Sequence, residues 1–167
     1  INNLALNEND IGEFRTFLKL SPPLRTEEDR VSLIDGINKN LIDVIVSDHK
    51  PEDEESKRLT FSQAATGASG IETFLSLALE QFHNGSIKLE KIIELITHNP
   101  AKILKIDKGN LSVGVNADFC IVDISKPWIV KKENLVSKSK NTSIEGRKLQ
   151  GKVLSTFVKG LELYKIK

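Results

Sequence analysis

The sequence has 167 residues, of which 39% are hydrophobic and 28% are charged, and its formal net charge is +1. A near-zero net charge gives no support for nucleic-acid binding, and no apolar run approaches the ~18 residues of a membrane-spanning helix. Because Cys120 is the single cysteine, it has no disulfide partner within the chain, which favours a reducing cytoplasm and an ordinary buried side chain.

The chain begins with Ile1 and contains no methionine. An initiator methionine is normally removed only before small residues, and isoleucine is not small. We therefore expect this sequence to be the C-terminal portion of a longer gene product. The alternative is that the sequence was simply recorded from this residue onward.

The first half of the chain predicts strands alternating with a helix. Residues 1–7 resemble the end of a strand, and Thr26 is expected to begin a helix whose apolar residues are Val31, Ile34 and Ile37. Residues 41–47 are mostly apolar, as in a parallel strand that is buried on both faces. This order of strand, helix and strand predicts an α/β fold.

The second half begins with helices and ends with strands. We expect a helix near residues 71–82, a second one capped by Ser86 and a third one capped by Asn99. After residue 107 the helical periodicity stops. Strands are predicted near residues 119–122, 128–130, 153–158 and 161–164, with a tight turn at Lys159-Gly160. The sequence therefore predicts two parts, residues 1–107 and a small β module at 108–167.

Asp48 is the first candidate for a functional residue because it directly follows the predicted strand at residues 41–47. In barrel enzymes, catalytic groups stand at the carboxyl ends of the strands. The alternative for Asp48 is a structural role in capping a turn. Adjacent strand residues point to opposite faces, so His49 is expected to be a packed or solvent-facing neighbour and not a metal ligand.

Six motifs in collinear order make this chain similar to the C-terminal part of the dihydroorotases of the bacterial class, within the amidohydrolase superfamily. Each motif alone is weak, but together they cover essentially the whole chain. They are residues 21–30 (Ser-Pro-Pro-Leu-Arg-Thr-Glu-Glu-Asp-Arg), 42–49 (Ile-Asp-Val-Ile-Val-Ser-Asp-His), 67–73 (Gly-Ala-Ser-Gly-Ile-Glu-Thr), 99–104 (Asn-Pro-Ala-Lys-Ile-Leu), 114–118 (Gly-Val-Asn-Ala-Asp) and 137–142 (Ser-Lys-Ser-Lys-Asn-Thr).

The resemblance implies that residues 1–107 are the last part of a TIM (β/α)8 barrel and that residues 108–167 belong to a β-sandwich. It implies zinc-dependent, reversible hydrolysis of a cyclic amide, dihydroorotate, to carbamoyl aspartate in pyrimidine biosynthesis. In the family, the carboxylate that matches Asp48 binds metal and accepts the proton of the attacking hydroxide. It then passes that proton to the leaving nitrogen.

The resemblance also implies substrate-binding positions, and this chain departs from the family at several of them. The matched positions are Ser21, Glu52, Thr66 and Gly67, where the family has Asn, His, Phe and Gly. Glu52 would repel a substrate carboxylate. Asn3 stands where the family has a metal-binding His, and Asn is a poor zinc ligand. The other metal ligands of the family match no residue of this chain.

Three hypotheses about function follow from this pattern. The chain is part of a dihydroorotase-like protein that has lost catalysis and survives as a scaffold, as a partner of aspartate transcarbamoylase or as the product of a decaying gene. Alternatively, it is one piece of a working enzyme, completed by an N-terminal remainder or by another copy. The third hypothesis is a related cyclic amidase of the hydantoinase or allantoinase type. In each case we expect the isolated chain to bind no zinc and to be inactive.

Overall fold

The computed structural model describes residues 1–166. The helices are α1 (Asn2–Ala5), α2 (Glu27–Asn38), α3 (Glu54–Lys57), α4 (Phe74–His83), α5 (Leu89–Ile93) and α6 (Asn99–Leu104). The strands are β1 (Phe119–Ile129), β2 (Lys148–Val158) and β3 (Leu161–Lys165), and short helical turns occur at Glu8–Ile11, Thr16–Leu18, Glu94–His98 and Lys132–Asn134. Within residues 1–166 no helix has the length and apolar character needed to cross a membrane.

Helix α2 begins where the sequence predicts it. The hydroxyl oxygen of Thr26 accepts a hydrogen bond from the main-chain N–H of Asp29 at 3.2 Å, which satisfies a free donor of the first turn. The predicted apolar stripe is only partly buried. Ile37 lies in the core and Ile34 packs against it, whereas Val31 is half-exposed.

Residues 1–7 do not form the predicted strand end. Residues Asn2–Ala5 form the short helix α1, in which the N–H of Leu6 bonds to the carbonyl oxygen of Asn2 at 2.9 Å. Leu4 and Leu6 are both buried in the hydrophobic core. The alternation of apolar residues that suggested a strand is therefore explained by core packing of one helical turn.

The prediction of a buried parallel strand at residues 41–47 is also wrong. The segment has no strand ladder. Its main-chain hydrogen bonds run from the Leu41 N–H to the Gly36 carbonyl oxygen at 2.8 Å, from the Ile45 N–H to the Leu95 carbonyl oxygen at 3.2 Å and from the Ile1 amino group to the Val46 carbonyl oxygen at 2.7 Å. Leu41 is 74% exposed and Val46 is 60% exposed. No strand among residues 1–166 lies beside them, so the apolar run that predicted two-sided burial remains open on one side.

Helices α5 and α6 are continuous through the turn at Glu94–His98, which has the wider hydrogen bonding of a π-helix. Neither predicted N-cap is present. Lys88 precedes α5 without a side-chain cap, and Asn99 lies inside the helical run. The Asn99 side chain instead donates a hydrogen bond to the carbonyl oxygen of Asp43 at 2.9 Å. A long-range contact thus replaces the local cap that the sequence suggested.

The three strands form one antiparallel sheet in the order β1-β2-β3. The two strands predicted between residues 119 and 130 are one irregular strand, β1. The predicted hairpin turn is confirmed, since Lys159 and Gly160 join β2 to β3 with φ angles of +51° and +79°. Cys120 is exposed and not buried. Ile121, which follows Cys120 in β1, is also exposed. Helix α4 packs on β2.

The sheet and the helices share one hydrophobic core. Ser76 of α4 donates a hydrogen bond to the carbonyl oxygen of Gly151 at 2.7 Å, and the indole N–H of Trp128 donates to the Ser76 hydroxyl at 3.1 Å. Val130 of the last part of the chain belongs to the same buried cluster as Leu77 of α4. The division between residues 107 and 108 stays a prediction.

Candidate functional site

Asp48 lies directly after the segment 41–47, at an exposed position with a φ angle of +48°. Aspartate tolerates this left-handed conformation better than most residues. No hydrogen bond or ion pair joins its carboxylate to another group of residues 1–166. Burial lowers the pKa of the Ile1 amino group, and the negative charge of Asp48 opposes this shift. Asp48 therefore lies near the first residues of the chain and leaves its carboxylate free.

His49 stabilises the local structure of this region. Its Nδ1 accepts hydrogen bonds from the main-chain N–H groups of Gly70 at 3.1 Å and Ile71 at 3.3 Å. A ring nitrogen that accepts two N–H groups carries no proton, so the proton of the neutral ring is on Nε2. His49 also forms a parallel bridge with Ala68. His49 thereby connects residues 48–50, the Asp48 segment, to residues 68–71.

Gly67 lies close to this segment and requires glycine. Its φ angle is +145°, and a Cβ atom added there would lie 2.7 Å from the carbonyl oxygen of Lys50. The Gly67 N–H donates to the carbonyl oxygen of Lys19 at 2.9 Å, and its carbonyl oxygen accepts from the Lys57 ammonium at 3.0 Å. Thr66 is partly buried beside it. Within residues 1–166 the Thr66 main-chain N–H and carbonyl make no hydrogen bond.

Glu52 is the third of the matched positions that this region brings together. Its N–H donates to the side-chain oxygen of Asn141 at 3.3 Å, and its carbonyl oxygen accepts from the Ser139 hydroxyl at 2.5 Å. Its carboxylate lies 3.8 Å from the Lys50 ammonium. Glu52 and Asn141 also line a cleft of about 890 Å³, whose other charged lining residues are Lys132, Lys138, Lys140, Asp53, Glu54 and Glu133. The cleft beside Glu52 therefore carries charges of both signs.

The structure does not bring Ser21 and Asn3 into the same network. Ser21 is exposed, and no hydrogen bond joins it to Glu52 or Gly67. The Asn3 amide donates to the carbonyl oxygen of Pro23 at 2.9 Å. Asn3 therefore contacts the segment that follows Ser21, and its N–H₂ group is already used.

Sequence reasoning assigned no role to two residues that organise the site. Asn141 is 3% exposed and contacts both matched segments, and Lys57 is 2% exposed and donates to the carbonyl oxygens of Ala65 and Gly67. Burial lowers the pKa of Lys57, and the charge of Glu52 opposes this effect. Asn141 lies in the motif at residues 137–142 and could have been selected there. Lys57 carries no comparable signal in the sequence.

The described residues do not fit a complete zinc site. A catalytic zinc needs about three protein ligands and an open position. Within residues 1–166 no three side chains of His, Cys, Asp or Glu converge as a metal site would require. Asp48 is a single carboxylate, the Nδ1 of His49 is occupied, and Asn3 offers only an amide oxygen.

Comparisons with known proteins identify similar sequences and structures. The sequence matches the model of the amidohydrolase family over residues 9–163. It is 40% identical to the dihydroorotase of Ehrlichia canis (strain Jake) over 97% of this chain and 36% of that protein. It is 40% identical to the dihydroorotase of Aquifex aeolicus (strain VF5) over 98% of this chain and 39% of that protein. The chain thus spans less than two fifths of these relatives.

Solved structures share the fold. The L-hydantoinase (dihydropyrimidinase) from Arthrobacter aurescens superposes with a TM-score of 0.93 at 29% identity, over 98% of this chain and 38% of that one. The dihydropyrimidinase from Brevibacillus agri NCHU1002 superposes with a TM-score of 0.89 at 22% identity, over 98% of this chain and 38% of that one. At 22% identity the second likeness concerns the fold alone.

Proposed function

Because the chain belongs to the amidohydrolase family, we propose that it is the C-terminal part of a dihydroorotase-like enzyme of pyrimidine biosynthesis. The observation that carries this proposal is the free carboxylate of Asp48, which no group among residues 1–166 engages. Its neighbourhood includes Gly67, a position that resembles a substrate-lining position of the family. Curated relatives that are 40% identical over nearly the whole chain are named dihydroorotase.

The chemistry of the proposal requires one group that first accepts and then donates a proton. Asp48 accepts a proton from the water that attacks the ring carbonyl, and it returns that proton to the amide nitrogen as the ring opens. A carboxylate without internal hydrogen bonds is free for both transfers. The neighbouring main chain of Thr66 and Gly67 would hold the ring beside it. The steps assigned to Asp48 do not require the described residues to bind zinc by themselves.

The proposed architecture is a (β/α)8 barrel that another polypeptide segment completes, together with a β-sandwich that includes residues 108–167. Leu41 and Val46 are large apolar residues that are mostly exposed, and so is Ile71. Exposed apolar residues along an unpaired segment invite contact with another strand. The N-terminal remainder of the same protein, or a second copy, would cover them. We propose that residues 1–167 alone are inactive and that the complete protein acts in the cytoplasm.

Two further candidates remain, each with its own supporting observation. Glu52 places a negative charge where a substrate carboxylate would lie, which favours a less acidic substrate and a cyclic amidase of the hydantoinase or allantoinase type. Asn3 stands where the family has a metal-binding His. This difference favours a non-catalytic protein that serves as a scaffold or as a partner of aspartate transcarbamoylase. Both keep the same fold.

The test uses the longest natural protein that contains this chain. We expect it to hydrolyse dihydroorotate, and we expect Asp48→Asn to lower kcat at least ~100-fold, since general acid–base groups contribute about 10²–10⁴. Asp43→Asn is the matched control, because Asp43 is an exposed carboxylate of the same segment. Asp43→Asn should change kcat by less than about twofold, which is far less than the change expected when a general acid–base group is lost.

Each other outcome selects a different function. Hydrolysis of hydantoin or allantoin without hydrolysis of dihydroorotate would identify a related cyclic amidase. Absence of hydrolysis, with binding to aspartate transcarbamoylase in a sedimentation experiment, would identify a scaffold. Full activity in the Asp48→Asn variant would refute the role of Asp48 in any hydrolytic reaction.

A further inference from the structure

Asn141 is a buried amide whose hydrogen-bonding groups are directed to separate segments of the candidate site. Its side-chain oxygen accepts hydrogen bonds from the N–H of Glu52 at 3.3 Å, from the hydroxyl of Ser69 at 3.1 Å and from the hydroxyl of Ser139. Its side-chain N–H₂ donates to the carbonyl oxygen of Gly67 at 3.1 Å. A side chain with both donor and acceptor capacity in use holds these groups in one geometry.

The segments that Asn141 joins are distant in sequence. Asn141 follows Gly67 by 74 positions and Glu52 by 89 positions. Two additional bonds connect the same parts of the chain, from the main-chain N–H of Ser69 to the carbonyl oxygen of Asn141 and from the Ser139 hydroxyl to the carbonyl oxygen of Glu52. The loop at residues 137–142 therefore adds a bridge between two segments that are also joined by the Lys50 N–H bond to the Ala68 carbonyl oxygen and by the Lys57 ammonium.

Both main-chain polar groups of Gly67 are hydrogen-bonded. The Lys19 carbonyl oxygen accepts the Gly67 N–H, while Lys57 and Asn141 both donate to the Gly67 carbonyl oxygen. With the polar groups of Gly67 engaged internally, the N–H and carbonyl of Thr66 are left free. The orientation of the free Thr66 groups is thus set by the bonds that hold Gly67.

We propose that Asn141 is a positioning residue that fixes the ligand-facing main chain of Thr66–Gly67 relative to Glu52. The inference rests on the proposed cyclic amidase function for its ligand, a cyclic amide bound against residues 66–67. Asn141 itself does not touch the substrate. Its amide sets the distance between residues 66–67 and Glu52, which would contact the ring from two sides. Displacement of either segment weakens substrate binding but leaves the group that transfers the proton in place.

Two substitutions separate the donor from the acceptor role of Asn141. Asn141→Ala removes both. Asn141→Asp keeps an oxygen for the Glu52 N–H and for the Ser69 hydroxyl, but it loses the donor to the Gly67 carbonyl. Ser76→Ala is the matched control, because Ser76 is also a buried polar residue that joins the helices to the sheet and lies outside this network.

The first measurement is amide hydrogen exchange by mass spectrometry on the longest natural protein that contains the chain. In Asn141→Ala we expect exchange to rise at least about tenfold at Glu52 and at residues 67–69, because the bonds that close both segments are lost. In Asn141→Asp only residues 67–69 should exchange faster. In Ser76→Ala neither segment should change.

The second measurement is steady-state hydrolysis of dihydroorotate. Asn141→Ala should raise KM at least about tenfold while kcat falls less than about threefold, since a loss of uniform binding raises KM alone. Asn141→Asp should give a smaller rise in KM, and Ser76→Ala should leave KM unchanged. An equal effect of Ser76→Ala would mean that loss of stability explains the change, and it would overturn the proposal.

The two measurements also separate this proposal from the proposed function. Unchanged exchange at Glu52 and at residues 67–69 in Asn141→Ala would overturn the positioning role whether or not the protein is active. Faster exchange with an unchanged KM would overturn it as well. A wild-type protein that neither binds nor hydrolyses dihydroorotate would refute the proposed function, and the exchange data alone would then decide whether Asn141 holds the two segments.

Discussion

Substitution of Gly67 by alanine should destabilise the protein through a clash that the surrounding main chain cannot relieve. The added Cβ would lie 2.7 Å from the carbonyl oxygen of Lys50, and the φ angle of Gly67 is +145°. The first contact is to main chain, so relief requires a shift of the Asp48 segment itself. Overpacking costs about 1–3 kcal/mol, and the unfavourable φ costs about 1–3 kcal/mol more.

Gly146→Ala isolates the steric part of this cost. Gly146 also has a positive φ, +79°, but its added Cβ would meet no atom within 4 Å. Equilibrium urea unfolding of both variants, followed by circular dichroism, should give a lower free energy of unfolding for Gly67→Ala by about 1–3 kcal/mol. Equal stability of the two variants would refute the inference that residues 66–67 are packed against the Asp48 segment.

Two other substitutions test the buried ammonium and the helix start. Lys57→Met should lower the free energy of unfolding by about 1–3 kcal/mol because the Ala65 carbonyl oxygen loses its donor and the Gly67 carbonyl oxygen keeps only that of Asn141, whereas the exposed Lys102→Met should have little effect; urea unfolding measures both. Arg30 and Asn7 lower the pKa of Glu27 to about 2 from 4.5, so this carboxylate stabilises the fold above pH 4.5 and loses that effect as the pH falls towards 2. The difference in urea midpoint between wild type and Glu27→Gln should shrink over this window, and a constant difference would contradict the assignment.

The parts of the fold that depend on neighbouring residues could be predicted from the sequence. The turn at Lys159-Gly160 follows from the residue types that tolerate positive φ, and the start of α2 follows from the hydroxyl of Thr26. The fold class follows from the collinear motifs, which the family match over residues 9–163 supports. The hairpin and the helix start were therefore accessible without coordinates.

Features that depend on distant partners could not be predicted. Residues 41–47 have a strand pattern, but a strand exists only when another strand lies beside it, and the sequence does not report its neighbours. Asn99 has the residue type of a cap, yet its side chain bonds to Asp43. Cys120 lies in an apolar run, yet its side chain is exposed. The role of Asn141 depends on contacts with residues 72 to 89 positions away.

The long separation between Asn141 and Glu52 has a consequence for biosynthesis. Asn141 is translated 89 positions after Glu52, and at about 5–20 residues per second this takes roughly 4–18 s. Once Gly67 has been added, the nascent chain contains Asp48 and the Gly67 loop but not the amide that connects them. The candidate site can therefore reach its final geometry only after Asn141 has been synthesised, and a product that ends before residue 141 lacks this connection.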